Sequence, residues 1–129
     1  LRITLPGLAA VESMQEDELN QALEVVVRQQ YVDIDYPAGV HLQRIEHVDN
    51  VFDRESLSLA LQSIKQTLAE KDLEKREITL LMEPGIDYQY IVTVMDTVRS
   101  YETVLVTSVV DAELFPDISL GDAPAKVAQ

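Results

Sequence analysis

The sequence predicts an α+β fold: a single mixed β-sheet with two helices on one face, in the order strand, strand, helix, strand, helix, strand. Three observations carry this expectation. A helical period of apolar residues follows Asp53, with Leu57, Ala60, Leu61, Ile64 and Leu68 on one stripe. Two short runs, "ITLLM" and "TVLVTSVV", have the character of strands and bracket the stretch "DYQYIVTVMDTVR". Between two alternating stretches, "YPAGV" supplies turn chemistry, Pro37 fixing φ and Gly39 permitting a positive one.

Taken in chain order, "LRITLP" alternates Leu1, Ile3 and Leu5 against Arg2 and Thr4, the pattern of an edge strand that Pro6 ends because it has no N–H to donate. Residues 1–22 therefore read as a linker with a strand-like stub. The stretch "LEVVVRQQYVDIDY" then favours strand through Val25, Val26 and Val27 and the alternating Val32, Ile34 and Tyr36. A helix over 13–30 is the rival, since Ser13 and Glu16 have capping-box spacing and Leu19, Leu23 and Val26 recur helically. With "VHLQRIEHV" as the second strand, 23–48 reads as an antiparallel hairpin. Asp53 is a suitable N-cap for the helix that follows, whose Arg54, Glu55, Gln62, Lys65 and Gln66 lie mostly off the apolar stripe. "ITLLM" reads as a central strand. The domain is taken as 23–110, and 111–129, with Pro116 and Pro124, as a flexible tail without regular structure.

The stretch "DYQYIVTVMDTVR" (87–99) fits two periods. As a helix it aligns Tyr88, Ile91, Val92, Met95 and Val98; as a strand it aligns Tyr88, Tyr90, Val92, Val94 and Val98, with Asp96 out of place. Its β-branched residues cost a few tenths of a kcal/mol each in a helix, whereas burial of a large apolar side chain against a sheet returns about 1.5–3 kcal/mol. A helix here also makes a crossover between the flanking strands, with Asp87 as its N-cap after the Pro84-Gly85 turn.

Composition narrows the function. The 129 residues, 47% of them apolar, suit one domain with a genuine core. A formal charge of -13 repels phosphate backbones, so nucleic-acid binding is not expected. With no cysteine, thiol catalysis and thiolate metal sites are excluded. No uncharged run reaches the roughly 20 residues that cross a bilayer, and the chain opens on Leu1, read as the cut end of a longer protein. His41 and His47 are about 20 Å apart along a strand, too far to share a metal ion. Asp33 and Asp35 share a face without a third ligand. Asp87 and Asp96 are accounted for as an N-cap and a solvent-facing helical residue, so no acid–base pair, metal or cofactor is assigned.

The stretch "ITLLMEPGIDYQYIVTVMDTVRSYETVLVTSVV" resembles the C-terminal half of the periplasmic domain of the ExbD/TolR biopolymer-transport family, in which a strand, a "DY" or "PY" turn, a helix containing "VMD" and a last strand follow one another. The motif residues are Asp87, Tyr88, Val94, Met95 and Asp96. "LRITLP" is similar to the segment that follows the family's single transmembrane helix. The chain departs from the pattern at "RSYETV", where a glycine is usual, at "MEPG", and in its long hairpin connection and tail.

The resemblance implies a non-enzymatic, periplasmic interaction module of a single-span bacterial inner-membrane protein. It implies an ExbB- or TolQ-like proton channel and a TonB- or TolA-like protein as partners, a homodimer, and possible contact with peptidoglycan; membrane attachment would come through an N-terminal helix absent from this chain. The expected mechanism is strand addition: Ile3, Leu5 and Pro6 of the stub dock beside Val104, Val106 and Val109 and are exchanged for a partner's extended segment. The contrasting expectation is a small acidic α+β enzyme or ligand-binding domain with an unidentified pocket.

Overall fold

The computed structural model describes residues 8–105 and 108–125. Its elements are α1 (Leu8–Ser13), α2 (Glu16–Leu19), β1 (Glu24–Val27), β2 (Tyr31–Asp35), β3 (His41–Glu46), α3 (Arg54–Glu70), β4 (Glu77–Met82), α4 (Tyr88–Arg99), β5 (Ser100–Leu105), β6 (Ser108–Glu113) and β7 (Asp117–Asp122). The fold is α+β, with a mixed five-stranded sheet in the order β3-β2-β1-β4-β7 and a separate two-stranded sheet of β5 and β6. β1, β4 and β7 run parallel, while β2 is antiparallel to both β1 and β3.

Strand alternation divides the main sheet into two faces. Val25, Val27, Val32, Ile34, Ile45, Ile78 and Leu80 share one core with Leu57, Leu61, Ile64 and Leu68 of α3 and Val94 and Val98 of α4. Both long helices therefore cover the same face. Asp53 caps α3 as expected, its carboxylate accepting from Ser56 N at 3.1 Å and from the Ser56 hydroxyl at 2.6 Å. Asp87 caps α4, accepting from the amides of Gln89 and Tyr90.

The phase of α4 differs from the expected stripe. Tyr90, Val94, Thr97 and Val98 face inward, at i, i+4, i+7 and i+8, whereas Tyr88 is 78% exposed. Asp87 fixes Tyr88 as the first helical residue, outside the sheet's cover. Thr97 tolerates burial because its hydroxyl donates to Thr93 O at 2.6 Å.

Four further expectations are corrected. The first expected strand is two, since the chain reverses at Gln29-Gln30 and Arg28 N donates to Tyr31 O at 3.0 Å; 23–48 is a three-stranded meander. Residues 8–19, read as linker or strand, form α1 and α2, and Val11 and Leu19 enter the core. The passage into β1 is clamped by Tyr36, whose hydroxyl donates to Leu19 O at 2.5 Å, and by Lys75, whose Nζ donates to Gln21 O at 2.9 Å.

"TVLVTSVV" is also not the last strand of the main sheet. Its described residues belong to the β5–β6 ribbon, which leaves α4 without a loop and returns to it: Leu114 N donates to Arg99 O and Phe115 N to Val98 O, satisfying carbonyls at the helix end. Leu114 and Phe115 are fully buried, and β7 pairs with β4 from Glu77↔Asp117 to Met82↔Asp122. The segment expected to be an unstructured tail thus completes both core and sheet.

Candidate functional site

The sequence-derived interaction residues do not converge. Ile3, Leu5, Pro6 and Val106 lie outside the described residues. Val104 sits opposite Val109 in the β5–β6 register, and Val109 is exposed, but this ribbon offers no edge of the main sheet. Among the motif residues, Asp87 is a cap, Val94 is buried, Met95 packs partly on the core, and Asp96 is exposed and paired with Arg99 at 3.3 Å. Tyr88, exposed, has no part in the core.

The structure instead gathers polar and aromatic side chains beyond the C-terminal ends of β1 and β4, against the first turns of α4. A cleft of about 360 Å³, open to solvent, lies there. Its inner wall is a cluster of rings: the centroids of His47 and Tyr90 are 5.1 Å apart and edge-on, and those of Phe52 and Tyr90 are 5.5 Å apart. Phe52 and Val51 reach the cleft from a tight turn in which Val48 bridges Val51 and Asp49 and Asn50 take positive φ of 52° and 63°. Asx residues accept that backbone more readily than other side chains do.

Hydrogen bonding fixes the chemistry of this wall. The Tyr90 hydroxyl donates its one hydrogen to Arg28 O at 2.9 Å, because a carbonyl can only accept. At 2.8 Å from His47 Nε2 it must then accept, so His47 carries its proton on Nε2 and its lone pair on Nδ1. Burial lowers the His47 pKa and keeps the ring neutral, and burial, with a smaller contribution from Glu83, raises that of Tyr90. Arg28 is committed elsewhere: it pairs with Glu83 at 3.1 Å and donates to Pro124 O at 2.9 Å.

A second polar cluster lies on the sheet face away from the helices. Arg44 holds Asp33 through two hydrogen bonds of 2.8 and 3.1 Å and stacks over Tyr31 at 3.8 Å. His41 Nδ1 is 3.6 Å from Asp35, whose pKa is raised by burial and by Asp33. His41 and His47 thus serve different neighbourhoods. Among the described residues, no three His, Cys, Asp or Glu side chains are grouped to hold a metal ion.

The cleft escaped the sequence because its members come from separate segments; Tyr90 and His47 are 43 positions apart. Their only local sign was a tyrosine in the first turn of a capped helix. Compared with family models, with curated proteins and with solved structures, the chain gives no match. The class of protein established here is an α+β domain with a mixed sheet and a one-sided helical layer.

Proposed function

We propose that this chain is a protein-interaction module of the ExbD/TolR type, the periplasmic part of a proton-motive-force-driven complex that serves outer-membrane transport or envelope integrity. Its partners in this reading are an ExbB- or TolQ-like channel, a TonB- or TolA-like protein and a second copy of itself. The observation that carries the interaction part of the reading is the edge strand β7, although it lies in the tail where the chain departs from the family pattern. It pairs with β4 alone, and among the described residues no strand lies on its other side. Leu120 on this strand is exposed and Ile118 is only partly buried, so an extended segment laid against β7 gains main-chain hydrogen bonds and apolar contact together.

Further support comes from the order β4, Asp87 cap and α4 with "VMD" at its centre, which agrees with the first steps of the order the resemblance implies; the β5 that follows lies in the ribbon and not in the main sheet. Among the described residues no helix is long and apolar enough to cross a membrane, so in this reading anchoring comes from sequence upstream.

Amide hydrogen exchange tests the proposal. Adding the periplasmic segment of a TonB- or TolA-like partner is expected to slow exchange at alternate amides of Asp117–Asp122, the pattern of one new ladder. Unaltered exchange along β7 at saturating partner would remove strand addition. An upstream gene sequence lacking a hydrophobic helix of roughly 20 residues would remove the family reading.

A further inference from the structure

We propose that the cleft between the first turns of α4 and the Val48–Val51 turn binds the guanidinium of an arginine carried on an extended peptide segment with apolar neighbours. This inference rests on the cleft's own chemistry and holds whether or not β7 accepts a partner strand.

The hydroxyl and ring donors of Tyr90, Thr93 and His47 are used within the protein, while the amides of Asn50, Gln29 and Gln89 keep both donors and acceptors. Gln29 commits one hydrogen of its side-chain NH₂ to Gly85 O at 3.1 Å, and Gln89 turns one toward Thr93 Oγ1 at 3.5 Å, so each amide keeps its oxygen and its second hydrogen. The Thr93 hydroxyl donates to Gln89 O at 2.9 Å. The Tyr90 hydrogen goes to Arg28 O, which leaves His47 with an accepting Nδ1. The Asp87 cap takes both α4 amides on Oδ2, so Oδ1 is left for a ligand. The site therefore presents amide groups of both kinds together with one anionic acceptor, the free carboxylate oxygen of Asp87.

The carboxylate of Asp87 favours a cation, and a guanidinium brings five donors that can reach that oxygen and the neighbouring amide oxygens together. Its planar face stacks on aromatic rings, which Phe52 and Tyr90 supply. Charge points the same way. Asp87 is the charged side chain on the lining, His47 is neutral, and Arg28 is balanced by Glu83. An anion has no purchase, because the amides at the start of α4 that would attract it are already occupied by Asp87.

Size and rim select a peptide over a larger organic ligand. A volume of about 360 Å³ is at the small end of ligand pockets, enough for a long side chain and its neighbour. Val51, on the lining and 65% exposed, forms an apolar lip on which a residue flanking the arginine rests.

The test uses the full chain and three blocked tripeptides, acetyl-Leu-Arg-Val-amide, its citrulline analogue and its glutamate analogue, followed by amide chemical shifts. The arginine peptide is expected to move the Gln29, Gln89 and Tyr90 signals to saturation. The neutral citrulline peptide should bind about tenfold more weakly, equivalent to about 1.4 kcal/mol. Asp87→Asn keeps a good N-cap while deleting the charge, and should weaken the arginine peptide by about fivefold at unchanged fold. If that variant is misfolded, Gln89→Lys makes the same test by placing a cation on the exposed rim. Absence of saturable shifts with the arginine peptide overturns the inference, as does equal affinity for the arginine and glutamate peptides.

Discussion

Tyr90 ties the turn after β1 to the residue after β3: its hydroxyl donates to Arg28 O at 2.9 Å and accepts from His47 Nε2 at 2.8 Å. The chain Nε2–H to Oη–H to carbonyl joins the residue after β1, the one after β3 and the first turn of α4. Tyr90→Phe keeps the ring and its contacts but leaves a partly buried carbonyl and an imidazole N–H without this partner. The expected cost is about 1–3 kcal/mol in denaturant unfolding. Nitrogen chemical shifts of His47 should report the Nε2–H tautomer in the parent and a mixture in the variant. An unchanged tautomer ratio would contradict the assigned direction of these bonds.

The same histidine makes stability depend on pH. Burial depresses its folded-state pKa below 6.5, so the unfolded chain binds the proton more readily than the folded one. Its contribution is fully present above the unfolded value of about 6.5 and is lost as pH falls through the lower folded value. The stability difference between the parent and His47→Gln should therefore shrink as pH is lowered from 7.5 through that window. A difference that stays flat, or grows in acid, would reverse the sign.

Phe115 reports whether the C-terminal segment is part of the core. It is fully buried, its amide holds the end of α4, and Lys65 Nζ lies 4.7 Å from its ring centre. Phe115→Ala should cost about 3–5 kcal/mol, as large-to-small changes in a packed core do. Loss of less than about 1 kcal/mol would mean that 111–125 is peripheral after all.

What the sequence could and could not reveal follows from how each feature is encoded. The α3 stripe and the caps Asp53 and Asp87 are local patterns, and each stands where its spacing predicts. The break between β1 and β2 was hidden because "RQQ" contains no glycine or proline to mark a reversal. β7 was hidden by the opposite cause: Pro116 and Pro124 flank it, and only Ile118 and Leu120 hint at alternation in "DISLGD". The phase of α4 was misread because Tyr88 counts by residue type with the apolar stripe while Thr97, buried through its bond to Thr93 O, counts with the polar side, and the sheet decides between them. The cleft needed the fold itself, since Gln29, His47, Phe52 and Tyr90 form no motif along the chain.

The pair Arg28–Glu83 supplies the last prediction. Glu83 follows β4 and Arg28 follows β1, two parallel neighbours, and their side chains approach to 3.1 Å with only 15% and 9% of each exposed. Arg28 also donates to Pro124 O, just beyond β7, while Gln29 N donates to the other oxygen of Glu83 at 3.2 Å. Three strand ends are thus tied by one ion pair, at the margin of the cleft. Taking two charges out of water is costly, so the pair as a whole contributes less than its Coulomb attraction suggests; removing one partner leaves the desolvation of the other uncompensated. Arg28→Met should accordingly destabilise by about 3–5 kcal/mol. Adding Glu83→Leu should recover a substantial part of that loss, short of the whole because the Gln29 amide and the Pro124 carbonyl stay without these partners. Urea unfolding of the parent, both single variants and the double variant measures the coupling. If the double variant loses the sum of the single losses, the two residues act independently and the strand ends are held by backbone pairing alone.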